Sequence, residues 1–345
     1  MSGKIKSSRF LTLLSIITLL AGAISCSKSE KPITKDTFVM GTRAWITVYS
    51  KDRTEAEKAI KKAFREFYRI DSAMSNWKKT SEISRLNSLS GKGPARVSEE
   101  LFNIIERAFS FSRLTDGAFD ITARPLVTLW GFEGGKVHLP DHAEVKEALS
   151  RVGYTRVSLN RDSLSVTLPD GFEIDLAGIA KGYAVDRARD ILENCGMESA
   201  LINLGGNIYA MGNPPGKDGW KIGVRDPLGS TRVVARLVLR DLAVATSADY
   251  ENYNVINGKR YGHIIDPATG YPASGVLSVT VIAKEAITAD ALSTGFFVLG
   301  PERSKEKIDT TKEVRALFAV QSDSGSIEYI KIGEFGPTCR LTLKK

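Results

Sequence analysis

The chain of 345 residues is long enough for one large or two medium domains, and its 42% hydrophobic and 26% charged residues are ordinary for a globular protein. This composition argues against a disordered chain. The formal net charge of +8 comes without a basic cluster interleaved with aromatic residues, so nucleic-acid binding is disfavoured. The three cysteines show no metal-type spacing, so a zinc site is not expected.

The N-terminal 25 residues predict a secretory signal peptide. A basic region formed by Lys4, Lys6 and Arg9 precedes the apolar run of residues 10–24, which is too short to span a bilayer comfortably. The run ends in small residues before Cys26 and resembles the lipobox of bacterial lipoproteins, whose cysteine carries a lipid. The alternative is a simple secreted protein. Without the three basic residues the net charge falls from +8 to +5, which suits an anionic small ligand or a membrane surface.

Three segments follow from this interpretation. We expect a lipoprotein signal peptide at residues 1–25, a polar tether at residues 26–34 and the functional domain at residues 35–345. A lipid on Cys26 would anchor the protein on the extracytoplasmic side of a bacterial membrane, its periplasmic side. That location permits a disulfide between Cys195 and Cys339, but the sequence does not predict one.

Hydrophobic periodicity predicts the first elements of the domain. Residues 37–50 alternate as a strand does, and a bulge is expected at Met40-Gly41-Thr42. Residues 53–74 and 99–114 carry apolar side chains at helical spacing, which indicates two amphipathic helices. Residues 117–132 predict an irregular segment that crosses the fold and is held in place by aromatic side chains.

The second half mixes strands and helices without strict alternation. Helices are expected at residues 141–151, from Gly182 to residue 194, and at residues 288–299. The predicted strands share short β-branched or apolar runs; they are residues 157–168 as a hairpin, 200–203, 208–211, 220–224, 233–239, 279–283, 314–320 and 327–332. This order favours an α+β fold, in which mixed sheets carry packed helices, over a doubly wound parallel sheet.

Residues 174–190 combine a strand end, two glycines and the start of a helix. Asp175 follows the strand, and Gly178 and Gly182 flank Lys181. A helix N-terminus after a glycine turn offers free N–H groups to a phosphate, although the spacing matches neither common nucleotide-binding motif. Tight packing of the strand against the helix is the alternative.

Residues 287–300 place oxygen ligands on one helical face. Asp290 and Thr294 are four residues apart and Ser293 lies beside them, a set that suits Mg²⁺. The alternative is that Thr288 caps the helix and Asp290 only complements its dipole.

Residues 245–272 contain His263, one of three histidines in the chain. It is a candidate general base, and a structural histidine beside an apolar pair is the alternative. Asp266-Pro267 and Thr269-Gly270 indicate a turn. The chain has no G-x-S-x-G motif, so a serine-hydrolase triad would lack its nucleophile.

Eight short motifs occur in a fixed order from about residue 35 to the C-terminus. They are M-G-T at Met40, M-S-x-W followed by S-E-I-S-R-L-N, G-A-F-D-I-T, L-W-G-F, D-L-A-G-I-A-K-G-Y-A, N-L-G-G-N, H-I-I-D-P-A-T-G and A-D-A-L-S-T-G-F-F-V-L-G. Together they resemble the ApbE family of bacterial FAD:protein FMN transferases, which are often lipoproteins. The resemblance implies an ApbE-like α+β fold with the active site between two lobes.

The resemblance also implies an activity and its partners. Family members use Mg²⁺ and FAD, transfer FMN to a threonine or serine hydroxyl of a target protein through a phosphoester bond, and release AMP. Their targets belong to membrane redox complexes, such as the sodium-pumping NADH:quinone oxidoreductase and the Rnf complex, and carry a motif of the type D-x-x-[ST]-G-A-[ST]. This chain has no clear copy of that motif, so it is expected to be the donor enzyme.

Site residues are implied motif by motif. The metal would be held by Asp290 and Thr294, with Ser293 adjacent and a backbone carbonyl of Ala177 or Gly178. The expected FAD contacts are Met40, Ser75, Trp77, Ala118, Phe119, Asp120, Asp175, Lys181, His263, Ile264 and Ile265. Asp290 and His263 would serve catalysis, His263 matching the histidine proposed to activate the acceptor, although Asp249 is a second candidate base. Three other functions remain open: an FAD pyrophosphatase, a non-catalytic FAD-binding lipoprotein and a purely structural tethered domain.

Overall fold

The computed structural model describes residues 31–132, 137–249, 252–311, 313–322 and 324–344. The predicted signal peptide and the predicted lipid site at Cys26 lie outside the described residues. The first strand begins at Pro32, slightly before the domain start expected at residue 35. No helix in the described ranges is both long enough and apolar enough to cross a membrane.

The described chain forms an α+β fold. Its α-helices are α1 (Arg53–Met74), α2 (Glu82–Ser88), α3 (Glu99–Leu114), α4 (Arg124–Leu129), α5 (His142–Leu149), α6 (Ala180–Asn194) and α7 (Ala286–Thr311). The described strands are β1 (Pro32–Val39), β2 (Thr42–Tyr49), β3 (Ala95–Arg96), β4 (Ser158–Asn160), β5 (Ser165–Thr167), β6 (Ser199–Leu204), β7 (Asn207–Met211), β8 (Trp220–Arg225), β9 (Val233–Leu239), β10 (Leu242–Ala248), β11 (Tyr253–Ile256), β12 (Lys259–Gly262), β13 (Val276–Ala283), β14 (Arg315–Gln321), β15 (Ile327–Ile332) and β16 (Cys339–Leu343).

An antiparallel sheet of eight strands forms the centre of the fold, in the order β1-β2-β6-β7-β10-β13-β14-β15. Helices α1, α6 and α7 pack on one face of this sheet. The sheet β16-β9-β8 covers the other face. Because successive residues of a strand face opposite sides, Ala243 and Ala245 of β10 join the core under the helices, whereas Val244 joins the core between the sheets.

A smaller unit lies beside these layers. Helices α4 and α5 pack together, and the hairpin β11-β12 packs on them. Trp130 is fully buried at the centre of this cluster, together with Leu126 and Ile265. The fold therefore has a large layered part and a small part built around one tryptophan.

The bulge predicted at Met40-Gly41-Thr42 is wrong, because the chain reverses there. β1 and β2 pair antiparallel from Pro32 with Tyr49 to Val39 with Thr42. Met40 and Gly41 both have positive φ, 51° and 71°, as a two-residue hairpin turn requires.

Several elements were not predicted from the sequence. The long β10, the hairpin β11-β12 and the last strand β16 are absent from the predicted set. The hairpin turn is Asn257-Gly258, with φ of 52° and 75°, and this dipeptide was a readable turn signal. Helix α7 extends past residue 299 to Thr311 through a kink, where Gly300 has a φ of 74° and Pro301 follows. Cys195 and Cys339 are both free thiols.

Helices α6 and α7 touch at Gly182. A Cβ atom on Gly182 would lie 2.3 Å from the carbonyl oxygen of Ala286 and 2.7 Å from Cβ of Asp290. No side chain fits in that space. The close approach predicted for this glycine is therefore present, and its partner is α7.

The N-terminus of α7 is capped by a side chain from α6. Asp186 accepts hydrogen bonds from the N–H groups of Ala286 and Ile287, both at 2.8 Å. Burial raises the pKa of the Asp186 carboxyl to about 6. The expectation that Thr288 caps this helix is wrong, because the helix begins two residues earlier and its free N–H groups already have a partner.

We predict that Gly182→Ala lowers the free energy of unfolding by about 1–3 kcal/mol, because the methyl group forces α6 and α7 apart. Urea unfolding followed by circular dichroism measures the change. Gly336→Ala is the matched control, since no atom lies within 4 Å of a Cβ at Gly336 and its φ is not positive. Equal stability of the two variants would contradict the tight contact.

Candidate active site

A cavity of about 720 Å³ opens between the large layered part and the small part of the fold. Its volume lies within the range of about 300–1,000 Å³ that is usual for small-molecule sites. The residues predicted for the site that line this cavity are Met40, Ser75, Trp77, Ala118, Phe119, Asp120, Asp175, Ala177, Gly178, Lys181, His263, Ile264, Ile265, Asp290 and Thr294. Motifs far apart in the sequence thus meet at one place.

The contact between α6 and α7 builds the first wall of the cavity. Asp290 is buried, and its Oδ2 accepts a hydrogen bond from the N–H of Gly182 at 2.8 Å. Burial raises the pKa of the Asp290 carboxyl, while Lys181 and hydrogen bonds from Gly182 and Asn207 act in the opposite direction. Ionisation of a carboxyl buried this deeply costs free energy, and a bound cation offsets that cost.

Gly178 allows the chain to pass close to this wall. A Cβ on Gly178 would lie 3.2 Å from the ring of Phe119 and 3.5 Å from Oγ1 of Thr294. The backbone of the D-L-A-G segment therefore runs next to the Thr294 hydroxyl, which lies one helical turn after Asp290. This is the arrangement expected if backbone and side-chain oxygens share a ligand.

Ser293 does not line the cavity. Its hydroxyl is buried, donates to the carbonyl oxygen of Asp290 at 2.9 Å, and lies 2.9 Å from the hydroxyl of Ser247. The structure therefore gives Ser293 a role in holding α7 against β10.

Asp175 is held by two asparagines that the sequence analysis did not assign to the site. Asn76 donates from Nδ2 to Oδ1 of Asp175 at 3.1 Å, and Asn87 donates to Oδ1 of Asn76 at 3.0 Å. Asn87 also pairs with both backbone groups of Ile174, at 2.8 and 2.9 Å. Burial raises the pKa of the Asp175 carboxyl. Asn87 ends the quoted motif S-E-I-S-R-L-N, so its signal was present, whereas Asn76 fills the variable position of M-S-x-W.

Asp120 uses its carboxylate inside the protein. Its Oδ1 accepts from the N–H and the hydroxyl of Thr122 at 2.8 and 2.7 Å, and its Oδ2 accepts from the N–H of Tyr154 at 2.9 Å. Burial raises the pKa of this carboxyl. Asp120 thereby fixes the G-A-F-D-I-T segment along the cavity.

Trp77 stands at the edge of the cavity with 73% of its surface exposed. Met40, in the β1-β2 turn, lines the same edge. Nearby, Lys78 and Asp71 form a salt bridge at 2.6 Å. An exposed aromatic ring at a cavity rim is suited to stacking on a flat ligand.

His263 also lines the cavity, on the segment that leads into the small part of the fold. Its Nδ1 lies 3.0 Å from the carbonyl oxygen of Asn252, to which the His263 N–H also donates at 3.1 Å. Because a carbonyl only accepts, Nδ1 carries the proton and Nε2 keeps the basic lone pair. Burial lowers the pKa of His263 below its ordinary value of 6.5, and Lys181 lowers it further.

Trp130 anchors the segment that carries His263. Its Nε1 donates to the carbonyl oxygen of Gly270 at 2.9 Å, and Asn254 donates to the carbonyl oxygen of Trp130 at 2.9 Å. The rings of Tyr261 and Tyr271 pack against the tryptophan. The aromatic anchor predicted in residues 117–132 therefore positions the H-I-I-D-P-A-T-G segment.

Asp249, the other candidate base, does not line the cavity. Its backbone carbonyl accepts from Arg260 at 2.9 Å, and its carboxylate lies 3.8 Å from the same guanidinium. His263 is therefore the better placed of the two groups.

The donors available for a cation on the first wall are oxygens. Among the described residues, no group of three or more His, Cys, Asp or Glu side chains is arranged so that it could hold a metal ion. Asp290 and Thr294 supply one carboxylate and one hydroxyl, and the backbone at Gly178 lies next to them. Such a set fits a hard cation that keeps part of its water shell.

Solved structures share this fold. The structure is similar to the crystal structure of the ApbE protein from Thermotoga maritima, with a TM-score of 0.80, 38% identity, and coverage of 86% of this chain and 96% of that one. It is also similar to the flavin transferase ApbE from Vibrio cholerae, with a TM-score of 0.79, 30% identity, and coverage of 88% and 97%. The α+β fold and its ApbE-like arrangement, predicted from the sequence, are confirmed.

Proteins related in sequence lead to the same family. A protein of Vibrio cholerae serotype O1 named FAD:protein FMN transferase is 34% identical over 327 residues, which cover 93% of this chain and 96% of that protein. One of Treponema pallidum with the same name is 33% identical over 342 residues, covering 92% and 94%. Residues 40–318 match the ApbE family. The chain belongs to the ApbE family.

We predict that Asn87→Ala lowers the free energy of unfolding by roughly 1–3 kcal/mol, because it removes the hydrogen-bond partner of the Ile174 N–H and of the amide oxygen of Asn76. Thermal or urea unfolding checks this. Asn103→Ala is the control, as Asn103 is an exposed helical asparagine that only accepts from Arg161. If both substitutions cost the same, the network around Asp175 is not a stabilising one.

Proposed function

We propose that this protein is an Mg²⁺-dependent FAD:protein FMN transferase. It moves the FMN half of FAD onto a threonine or serine hydroxyl of an acceptor protein, forms a phosphoester bond and releases AMP. The observation that carries the proposal is that one cavity holds both the oxygen donors of Asp290 and Thr294 and the basic nitrogen of His263. The names of the relatives support the same activity.

Asp290, Thr294 and a backbone carbonyl of Ala177 or Gly178 would hold the Mg²⁺. When bound, the ion neutralises charge on the pyrophosphate of FAD, the main requirement of phosphoryl transfer. The buried carboxylate of Asp290 supports this assignment, because the free-energy cost of burying its negative charge is offset when a cation binds to it. Lys181, close enough to lower the pKa of Asp290, supplies a second positive charge for a phosphate oxygen.

His263 would accept the proton of the acceptor hydroxyl at Nε2. The oxygen then attacks the phosphorus of the FMN half, the bond from that phosphorus to the bridging oxygen breaks, and AMP leaves with the bridging oxygen. The lowered pKa of His263 keeps the imidazole neutral at pH 7, as a base must be. The hydrogen bond to Asn252 holds the ring in the tautomer that leaves Nε2 free.

The remaining lining residues suit the flavin dinucleotide. All the expected FAD contacts line the cavity; they are Met40, Ser75, Trp77, Ala118, Phe119, Asp120, Asp175, Lys181, His263, Ile264 and Ile265. Trp77 offers its exposed ring for stacking on an aromatic part of FAD. Asp120 and Asp175 fix the backbone around the cavity through the hydrogen bonds described above.

The partner and the location rest on the sequence. We propose that the acceptor belongs to a membrane redox complex and carries a motif of the type D-x-x-[ST]-G-A-[ST]. We further propose that a lipid on Cys26 holds the protein on the extracytoplasmic, periplasmic side of a bacterial membrane. The signal-like N-terminus and the small residues before Cys26 support this.

Incubation with FAD, Mg²⁺ and an acceptor domain that bears the motif tests the activity. We predict a flavin-fluorescent acceptor band in a denaturing gel and one AMP for each FMN transferred. Asp290→Ala lowers both roughly 100-fold or more, because charge stabilisation is lost. Asp162→Ala, an exposed aspartate outside the cavity, leaves both unchanged. Free FMN and AMP without a labelled acceptor would instead identify an FAD pyrophosphatase, and no AMP at all would leave only a binding protein.

We predict that His263→Ala lowers the transfer rate roughly 10²–10⁴-fold, the usual contribution of a general base. The FAD-dependent rise in melting temperature is largely retained, because the other expected FAD contacts are unchanged. In the wild type the rate falls on the acid side with a midpoint below pH 6.5, because burial lowers the pKa of His263 below its ordinary value of 6.5. His142→Ala, at an exposed position, is the control. An acid limb centred above pH 7 would contradict the role of His263.

A further inference from the structure

Asn207 carries a buried oxygen that nothing in the described protein satisfies. The residue is 4% exposed and lines the cavity, yet its Oδ1 has no hydrogen-bond partner among the described residues. Buried polar atoms without partners are uncommon in native proteins, so such an atom on a cavity-lining residue indicates a partner that binds in the cavity.

The strand geometry aims this side chain at the helices. Asn207 opens β7 directly after the turn at Gly205 and Gly206, both with positive φ. It shares a strand face with Tyr209 and Met211, which belong to the core under α6 and α7. Its amide therefore points toward the wall that contains Asp290.

The orientation of the amide follows from electrostatics. The Asn207 side chain lies close enough to the Asp290 carboxylate to lower its pKa, and an ionised carboxylate can only accept hydrogen bonds. The NH₂ group must therefore face Asp290, because the opposite orientation would place two acceptor oxygens against each other. The unpartnered atom is then the amide oxygen.

Its neighbours on the sheet side of the cavity are already satisfied. The hydroxyl of Ser247 on β10 pairs with that of Ser293. Among the described residues on this side, Asn207 combines an amide close to the Asp290 carboxylate with an acceptor oxygen that has no partner. An amide oxygen is a hard ligand of the kind that Mg²⁺ and Mn²⁺ accept.

We propose that Oδ1 of Asn207 is a third side-chain ligand of the divalent cation, beside Asp290 and Thr294. The inference rests on the proposed function, since it concerns the same cation. One side chain thereby performs two tasks: its NH₂ group orients the Asp290 carboxylate, and its oxygen completes the set of donors. Removal of such a group typically costs 10–100-fold in metal affinity.

Mn²⁺ binding to the full-length protein, without FAD or acceptor, tests the proposal. The electron paramagnetic resonance signal of free Mn²⁺ gives the dissociation constant at pH 7.5, and melting temperatures without metal report on folding. We predict that Asn207→Ala raises the Kd at least about tenfold. Ser199→Ala is the matched control, because it removes another buried, unpartnered oxygen that lies outside the cavity. We predict that the Kd of this variant for Mn²⁺ equals that of the wild type.

A conservative variant separates a ligand from a hydrogen-bond donor. Asn207→Asp keeps an oxygen at the site but loses the NH₂ group, so we predict that it retains Mn²⁺ binding within a few-fold of the wild type. Wild-type affinity in Asn207→Ala, or lost binding in Asn207→Asp, would overturn the proposal. If the wild type binds Mn²⁺ no better than Asp290→Ala, the proposed metal site fails as well, which distinguishes the two failures.

Discussion

The contact between α6 and α7 at Gly182 is the constraint on which the rest of the site depends. Because Gly182 has no side chain, its N–H reaches the buried carboxylate of Asp290 at 2.8 Å. Four residues further along α6, Asp186 holds the first N–H groups of α7, so the two helices are joined at two points. This packing sets Lys181 beside Asp290 and brings Thr294 to the cavity. The charged wall of the site is thus a direct consequence of how two core helices pack.

The segment that carries His263 is positioned by a different set of contacts. His263 lies on an irregular segment that gains its shape from the buried Trp130, which bonds to Gly270 and accepts from Asn254. Neither this segment nor the wall of Asp290 alone holds both an oxygen cluster and a base. The cavity lies where the large and small parts of the fold meet, as expected for an active site between two lobes. In the proposed reaction, the wall of Asp290 serves the donor dinucleotide and His263 serves the acceptor hydroxyl.

Regular periodic elements were predictable, whereas chain reversals and long-range pairs were not. The bounds of α1 and α3 agree with the predicted helices at residues 53–74 and 99–114, because their apolar side chains repeat at helical spacing. The turn at Met40 was missed because methionine rarely adopts a positive φ. The site residues came from ordered motifs, but no local pattern shows that Asn87 pairs with Ile174, or that Asp186 caps another helix. Such contacts form only when distant segments pack.

The mass of the acceptor domain tests the central claim most directly, namely that Asp290 and His263, which line one cavity, act together to transfer FMN. After incubation with the protein, FAD and Mg²⁺, intact-mass spectrometry should show a gain of one FMN less one water. Fragmentation should place the gain on the threonine or serine of the motif. The gain should be absent with either Asp290→Ala or His263→Ala. An acceptor of unchanged mass, or a gain that persists in both variants, would contradict the account.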